Sequence, residues 1–245
     1  MTARGEHLAP EPEIDHSATE TPQLAEYMER FGQFLDTLEF ADVAFSLTDD
    51  SGASNVLKAH RIVLAAHSPV LRRILREHDN GNATINLPQE YAEPRSFDAC
   101  LRFFYRREEP SSSSGAEHLA RTLGAATALG VDELPGLVFA QLSPLVTVDN
   151  VVRIITIADF HGVTPLLELC AKICGERMSS EQFKNMILTL TADCERSVKN
   201  RPKAASSADD APAASDVVPV PNLVLRLLYA RHISPLAAAV RYNLL

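Results

Sequence analysis

The sequence is poor in cysteine, and its four cysteines do not have the spacing of a metal site or a disulfide framework. They are Cys100, Cys170, Cys174 and Cys194, with no CxxC pair. Reduced thiols in a cytoplasmic or nuclear setting are therefore expected. Cys170 and Cys174 stand four residues apart on a predicted helix, but a two-thiolate metal site would need two more ligands, so helix packing is favoured. No metal or cofactor is predicted.

Positive charge and long apolar runs are also scarce. The chain has 23 Lys and Arg against 32 Asp and Glu, a net charge of -9. Phosphate binding needs clustered cations, so direct nucleic-acid binding is not expected. No uncharged apolar run reaches the roughly 20 residues of a membrane span, and the first 20 residues have no signal-peptide core. These absences predict a soluble protein of the cytoplasm, the nucleus or both, without a membrane partner.

The first segment with a clear structural pattern is a helix that begins at about Pro22. Residues 1–21 are rich in acidic residues and proline and are predicted to be disordered. The helix then repeats apolar residues at amphipathic spacing. They are Leu24, Tyr27, Met28, Phe31, Phe34, Leu35 and Leu38. This arc is wide, so either the helix is buried in its own domain, or part of the arc meets a second copy of the chain. We take these seven residues as a candidate homodimer interface.

Strands and helices alternate from residue 41 to residue 144. A strand, a tight turn and a second strand are followed by two short helices, at about 60–66 and 69–77, with Ser68 as N-cap and Pro69 in the first turn. "ATINLP" predicts a third short strand and "SFDACLRFFYRR" a helix. Two more helices follow the serine-rich loop. The predicted fold class is α+β, a small sheet flanked by helices.

This order of strands and helices, together with several sequence motifs, resembles the BTB/POZ family over residues 22–143. The resemblance rests on Asp42-Val43, on "HRIVLAAHSPVL" from His60 to Leu71, and on the aromatic helix from Phe97 to Tyr105. The family usually has Thr-Gly after that helix, where this chain has Arg106-Arg107. The resemblance implies an interaction module without chemistry of its own, and in many members a homodimer.

The adjacent His60 and Arg61 raise the alternatives of catalysis and architecture. No nucleophile stands at a recognisable spacing from them, and G-x-S-x-G and P-loop motifs are absent. Architecture is favoured, and the chain is not predicted to be an enzyme. By resemblance, Asp42 and Arg61 form a partly buried structural ion pair.

A helical extension is predicted at residues 144–198. Thr147 and Thr164 are taken as N-caps of two antiparallel helices. The segment resembles the three-box or BACK-like extension of speckle-type cullin-3 adaptors. Residues 199–220 are predicted to be a disordered insert, and residues 221–245 to return as helices that pack on the extension. The rival interpretation of 221–245 is an amphipathic tail that binds a membrane or a partner, although it has few cations for a membrane surface.

Three functions compete on these grounds. The resemblance implies a dimeric adaptor that brings an unknown protein substrate to a cullin-3-type ubiquitin ligase. The candidate cullin contacts are Leu75, Glu77, Tyr105, Val146 and Thr147. A BTB scaffold or regulatory protein without ligase activity needs only the core domain. A hydrolase or transferase would need a polar catalytic set that the sequence does not show.

Overall fold

The computed structural model describes residues 22–49, 52–78, 84–89 and 91–199, without the side chains of 22–25, 28 and 190–199. The predicted tail at 1–21 and the predicted C-terminal helices at 221–245 lie outside the described residues, as does the predicted insert apart from Lys199. Nine α-helices and three strands are described, in the following chain order. They are α1 (Pro22–Thr37), β1 (Val43–Thr48), β2 (Ser54–Ala59), α2 (Arg61–His67), α3 (Pro69–Glu77), β3 (Thr84–Asn86), α4 (Pro94–Arg106), α5 (Ala116–Ala128), α6 (Leu134–Leu142), α7 (Val151–Phe160), α8 (Thr164–Arg177) and α9 (Ser180–Lys199).

The described sheet has three strands in the order β2-β1-β3. β1 is central, antiparallel to β2 and parallel to β3. Its residues Val43, Phe45 and Leu47 are buried, while the residues between them are more exposed, which is the period of a half-buried strand. Helices α2 and α3 make the crossover that a parallel pair requires. The predicted α+β fold class is confirmed.

Helix α3 begins where the sequence predicts. Ser68 accepts a hydrogen bond from the backbone N–H of Leu71 at 3.0 Å, and Pro69 occupies the first turn. The Ser68 hydroxyl also donates to the carbonyl of Leu129 at 2.5 Å. The cap therefore ties α3 to the end of α5 as well as starting the helix.

Two arginines end α4 where the family usually has Thr-Gly. Arg107 adopts a left-handed conformation, φ 55°, which a glycine accepts without strain. Its guanidinium lies 5.0 Å from the ring centroid of Phe103 and donates to Glu133 at 2.8 Å. Arg106 donates to the carbonyl of Gly32 and pairs with Asp36. The substitution thus anchors α4 to α1 and to the residue before α6.

The helical extension packs directly on the BTB-like core. Helices α7 and α8 form the predicted hairpin, with Gly162 at φ 66° in the turn. Both N-cap predictions are wrong. Val163 is the N-cap of α8, and Thr164 is the first residue of that helix. In α7, Asn150 and not Thr147 is the N-cap, and its side chain accepts from the N–H of Thr147 and donates to the carbonyl of Leu145. These bonds stabilise the turn before α7, and the Asn150 side chain makes no cap hydrogen bond to the helix itself.

Buried residues of α4, α5, α7 and α8 belong to one continuous hydrophobic core. Arg153 of α7 also pairs with Glu117 of α5 at 2.8 Å. Within the described ranges, no helix is long and apolar enough to cross a membrane.

Candidate interaction surfaces

Helix α1 has an inner and an outer apolar face. Phe31 and Leu35 on the inner face pack against the core. Tyr27 on the outer face is 64% exposed, and Phe34 is also exposed. The side chains of the other two predicted interface positions in the helix, Leu24 and Met28, lie outside the described residues. One arc therefore packs on the core of its own domain, while the other faces solvent, and its contact with a second copy stays a prediction.

The outer apolar face continues past the end of α1. Leu38 follows the helix with φ 55° and is exposed. Phe40 is 84% exposed and lies against Phe34, with ring centroids 6.5 Å apart. We call Tyr27, Phe34, Leu38 and Phe40 the α1 outer face. Contiguous exposed apolar side chains are typical of an interface.

A buried His–Tyr pair lies under α1, where it meets Phe31 of the inner face and one edge of Phe34 of the outer face. The ring of Phe31 stacks on Tyr105 at 5.5 Å, and the ring of Phe34 meets His60 edge-on at 6.0 Å. The His60 Nε2 lies 2.6 Å from the carbonyl of Glu39, and Nδ1 lies 2.6 Å from the Tyr105 hydroxyl. Because a carbonyl only accepts, Nε2 carries the hydrogen and Nδ1 accepts from the tyrosine. The tyrosine oxygen in turn accepts from the backbone N–H of His60 at 3.0 Å.

This pair is architecture and not a catalytic site. Tyr105 is fully buried, and burial raises its pKa to about 12. His60 is also buried, and both of its ring nitrogens have partners. A general base must reach a substrate proton, and these atoms face the interior.

Asp42 and Arg61 lie together, as the sequence predicts, and the contact is a helix cap. The Asp42 carboxylate accepts from the backbone N–H of Arg61 at 2.7 Å, at the start of α2. The Arg61 guanidinium donates to the carbonyls of Leu75 and His78 at 3.1 Å and 2.7 Å, at the end of α3. Each side chain therefore satisfies backbone groups at a helix end. The predicted ion pair between the two charged groups stays a prediction.

Three of the five predicted cullin contacts are in the interior, which corrects the sequence prediction for their side chains. Leu75 is 5% exposed, Val146 is 2% exposed and Tyr105 is fully buried. Leu75 faces inward because it lies on the core side of α3, and the Leu-Arg-Glu motif is helical. Glu77 and Thr147 are exposed and remain available to a partner. The prediction rests on an apolar residue two positions before a carboxylate. This pattern occurs both where the apolar side chain is in the core and where it is on the surface.

The thiols of the described part are buried. Burial raises the pKa of Cys100, Cys170 and Cys174 to about 12. Cys174 Sγ lies 3.7 Å from Met186 Sδ of α9, so it packs between helices. No group of three or more potential metal ligands occurs among the described side chains.

Comparison with known proteins agrees with the three-stranded sheet and the order of the helices. The BTB/POZ domain family matches residues 31–144. Residues 31–144 are a BTB/POZ domain. Such domains are generally interaction modules without enzymatic activity, and no catalytic family is indicated. The predicted family is therefore confirmed.

Three plant relatives share more than the domain itself. BTB/POZ and MATH domain-containing protein 4 of Arabidopsis thaliana is 28% identical over 161 residues, 60% of this chain and 33% of the relative. Protein 3 of the same name is 29% identical, over 62% and 40% of the two chains. Protein 6 is 25% identical, over 74% and 46%. The chain thus spans between about a third and a half of the length of these relatives.

The sequence patterns do not predict several exposed apolar residues, among them Phe40 and Ile62. Phe40 was overlooked because the helical pattern ends at Leu38, and its exposure depends on the positive φ of 61° that turns the chain there. Ile62 is 79% exposed, although it stands in an unbroken apolar run. A helical-wheel reading of α2 would have separated Ile62 from the buried Val63 and Leu64.

Proposed function

We propose that the chain is a homodimeric adaptor, which links a protein partner to a cullin-3-type scaffold of a ubiquitin ligase in the cytoplasm, the nucleus or both. The BTB/POZ domain and the BTB/POZ and MATH relatives support the adaptor role in general. The homodimer and the binding of a cullin-3-type scaffold are more specific than these similarities, and they are argued below from the surfaces of the domain.

The α1 outer face is the observation that carries the dimer. Its aromatic side chains are exposed at one edge of the domain, while the opposite face of the same helix is fixed by Tyr105 and Arg106. A rigid apolar surface loses little conformational entropy on association, which favours a permanent contact. A two-fold dimer would cover the same face on both copies.

The scaffold-binding surface is proposed to lie beside the C-terminal end of α3 and the segment that leads into α7. Exposed Glu77 and Thr147 represent these two elements. Buried Leu75 and Val146 support the backbone under each of them and do not touch the partner. Since the extension shares one core with the domain, both elements are held on one body.

Isothermal calorimetry with the N-terminal domain of a cullin-3 from the same organism tests this proposal. We expect binding at micromolar concentrations, and a loss of at least tenfold in affinity for the double variant Glu77→Lys, Thr147→Arg. Asp132 is exposed in the turn before α6, so Asp132→Lys is the matched charge control and should bind as wild type does.

No heat of binding for the wild-type chain would contradict the ligase adaptor. The alternative, a dimeric BTB scaffold without ligase activity, would then be the better account.

A further inference from the structure

A polar groove runs along the outer edge of β2. Its walls are β2, the first half of α4 and the segment 108–118. One part has a volume of about 630 Å³ and the adjoining part about 710 Å³. The two parts share the following residues at the centre of the groove: Asn55, Pro94, Arg95, Ser114 and His118.

Strand β2 has a free edge beside this groove. The N–H of Asp49 donates to the carbonyl of Ala53, and the carbonyl of Ser46 accepts from Leu87 on the β3 side. In an antiparallel ladder with this register, Asn55, Leu57 and Ala59 bond to β1, and the residues between them point outward. The outward N–H and C=O groups are those of Ser54, Val56 and Lys58. Within the described part of the chain, these backbone groups have no hydrogen-bond partner.

A free edge is a template for an added strand, and proteins usually protect it. Here Lys58 is the only charged residue of β2, and Val56 is 56% exposed. Leu57 is half-buried and lies in the groove wall. An added strand would therefore project alternate side chains over the groove.

The charges along the groove alternate in sign. Asp49, Glu93 and Glu117 lie with Arg121 near Asn55, and Arg153 of α7 pairs with Glu117, which leaves an excess of one negative charge there. Near Leu57 the excess is two. The residues that produce it are Asp98, Glu108 and Glu109, against Arg102.

Between the two acidic ends lies Arg95, which is exposed and has no hydrogen bond or ion pair within the described residues. His118 beside it is half-buried, and burial lowers its pKa, which disfavours the charged imidazole. The centre can therefore bind an acidic side chain, and the two ends can bind basic ones.

We infer that the groove binds an extended segment of a partner protein, which adds a strand to β2 and carries basic side chains on both sides of an acidic one. The strand hydrogen bonds supply affinity and the charge order supplies specificity. The inference rests on the proposed adaptor role, since an adaptor needs a partner site apart from its scaffold site.

The test starts from a library of random eight-residue peptides displayed on phage and selected on the full-length protein. Enriched peptides should be rich in β-branched residues and carry Lys or Arg at alternate positions around an Asp or Glu. The absence of enriched peptides, or enrichment of peptides without this charge order, would overturn the inference.

Two variants at one position separate strand pairing from side-chain contact. Val56→Pro removes the outward N–H and keeps the bonds to β1, a place where edge strands accept proline. Val56→Ala removes most of the side chain and keeps the N–H. Fluorescence anisotropy with the best peptide should show at least a tenfold loss for proline and less than a threefold loss for alanine. Equal affinities of the two variants would contradict strand addition.

A charge swap keeps the test decisive even if Val56→Pro does not fold. Arg95→Glu should weaken the selected peptide at least tenfold, and a peptide with Lys in place of its acidic residue should recover that affinity. Failure of the swapped peptide to recover binding would contradict the proposed charge order. Light scattering and scaffold calorimetry on the same variants should be unchanged, so a failed groove and a failed adaptor are distinguishable.

Discussion

Two glycine-to-alanine variants test whether the extension is docked on the BTB domain. Gly124 is buried in α5, and a Cβ added there would lie 2.8 Å from the Cβ of His161 and closer still to its ring. His161 follows α7, so the contact joins the domain to the extension. The imidazole could rotate, but its Cβ is fixed to the backbone, so the helices would have to separate. Gly136 in α6 is exposed, and an added Cβ there would meet nothing within 4 Å.

Both substitutions raise helix propensity, but only Gly124→Ala places an added methyl group against a neighbouring side chain. Alanine favours a helix interior over glycine by up to about 1 kcal/mol. Overpacking a filled core costs about 1–3 kcal/mol. We therefore expect Gly136→Ala to be neutral or slightly stabilising and Gly124→Ala to be the less stable of the two by about 1–3 kcal/mol, since the propensity gain is common to both.

Urea unfolding followed by far-UV circular dichroism measures both free energies of unfolding. His161→Gly in the Gly124→Ala background should recover at least half of the loss, because it removes the opposing side chain. Equal stabilities of the two alanine variants would refute the docking of α7 and α8 on α5.

Three further predictions concern the buried polar groups and thiols. Tyr105→Phe should destabilise the fold by about 2–4 kcal/mol in urea because it leaves two buried polar groups of His60 without their partner. Tyr91 is half-buried, and its hydroxyl has no hydrogen bond within the described residues, so Tyr91→Phe should cost less than about 0.5 kcal/mol. Asp42→Ala should cost about 1–2 kcal/mol through loss of the α2 cap, and Asp42→Asn less than about 1 kcal/mol because the amide oxygen still accepts; a larger loss for asparagine would indicate a charge pair. Burial raises the pKa values of Cys100, Cys170 and Cys174 from the ordinary 9.0 to about 12. The contribution of these buried thiols to stability is therefore complete below pH 9 and is lost as the pH rises towards 12, so the melting temperature should fall in that range. Peptide mapping after treatment with iodoacetamide at pH 8 should find the three thiols unmodified.

The fold was predictable where local chemistry and periodicity agree. The Ser68-Pro69 start of α3 and the alternation of β1 are local patterns, and both predictions are confirmed. The cap of α7 was predicted wrongly, because a threonine and an asparagine three residues apart are both good caps and only the backbone path decides between them.

The surfaces were predictable only in part. The arc of α1 reveals its apolar residues, but which of them face Tyr105 is decided by helix packing over 70 positions away in the chain. For the same reason Leu75 reads as a docking residue in sequence and is a core residue in the fold. The groove beside β2 has no local signature, since its walls come from three separate segments.

Sedimentation equilibrium of the wild-type chain and of the double variant Tyr27→Asp, Phe40→Asp tests the central claim, a dimer formed through the α1 outer face. The wild type should have twice the 26.8 kDa mass of one chain at micromolar concentrations. The variant should have the single mass with an unchanged circular dichroism spectrum, since both side chains are exposed. Phe160→Asp, an exposed aromatic position of α7, is the control and should remain dimeric. A monomeric wild type, or a variant that is still dimeric, would contradict the account.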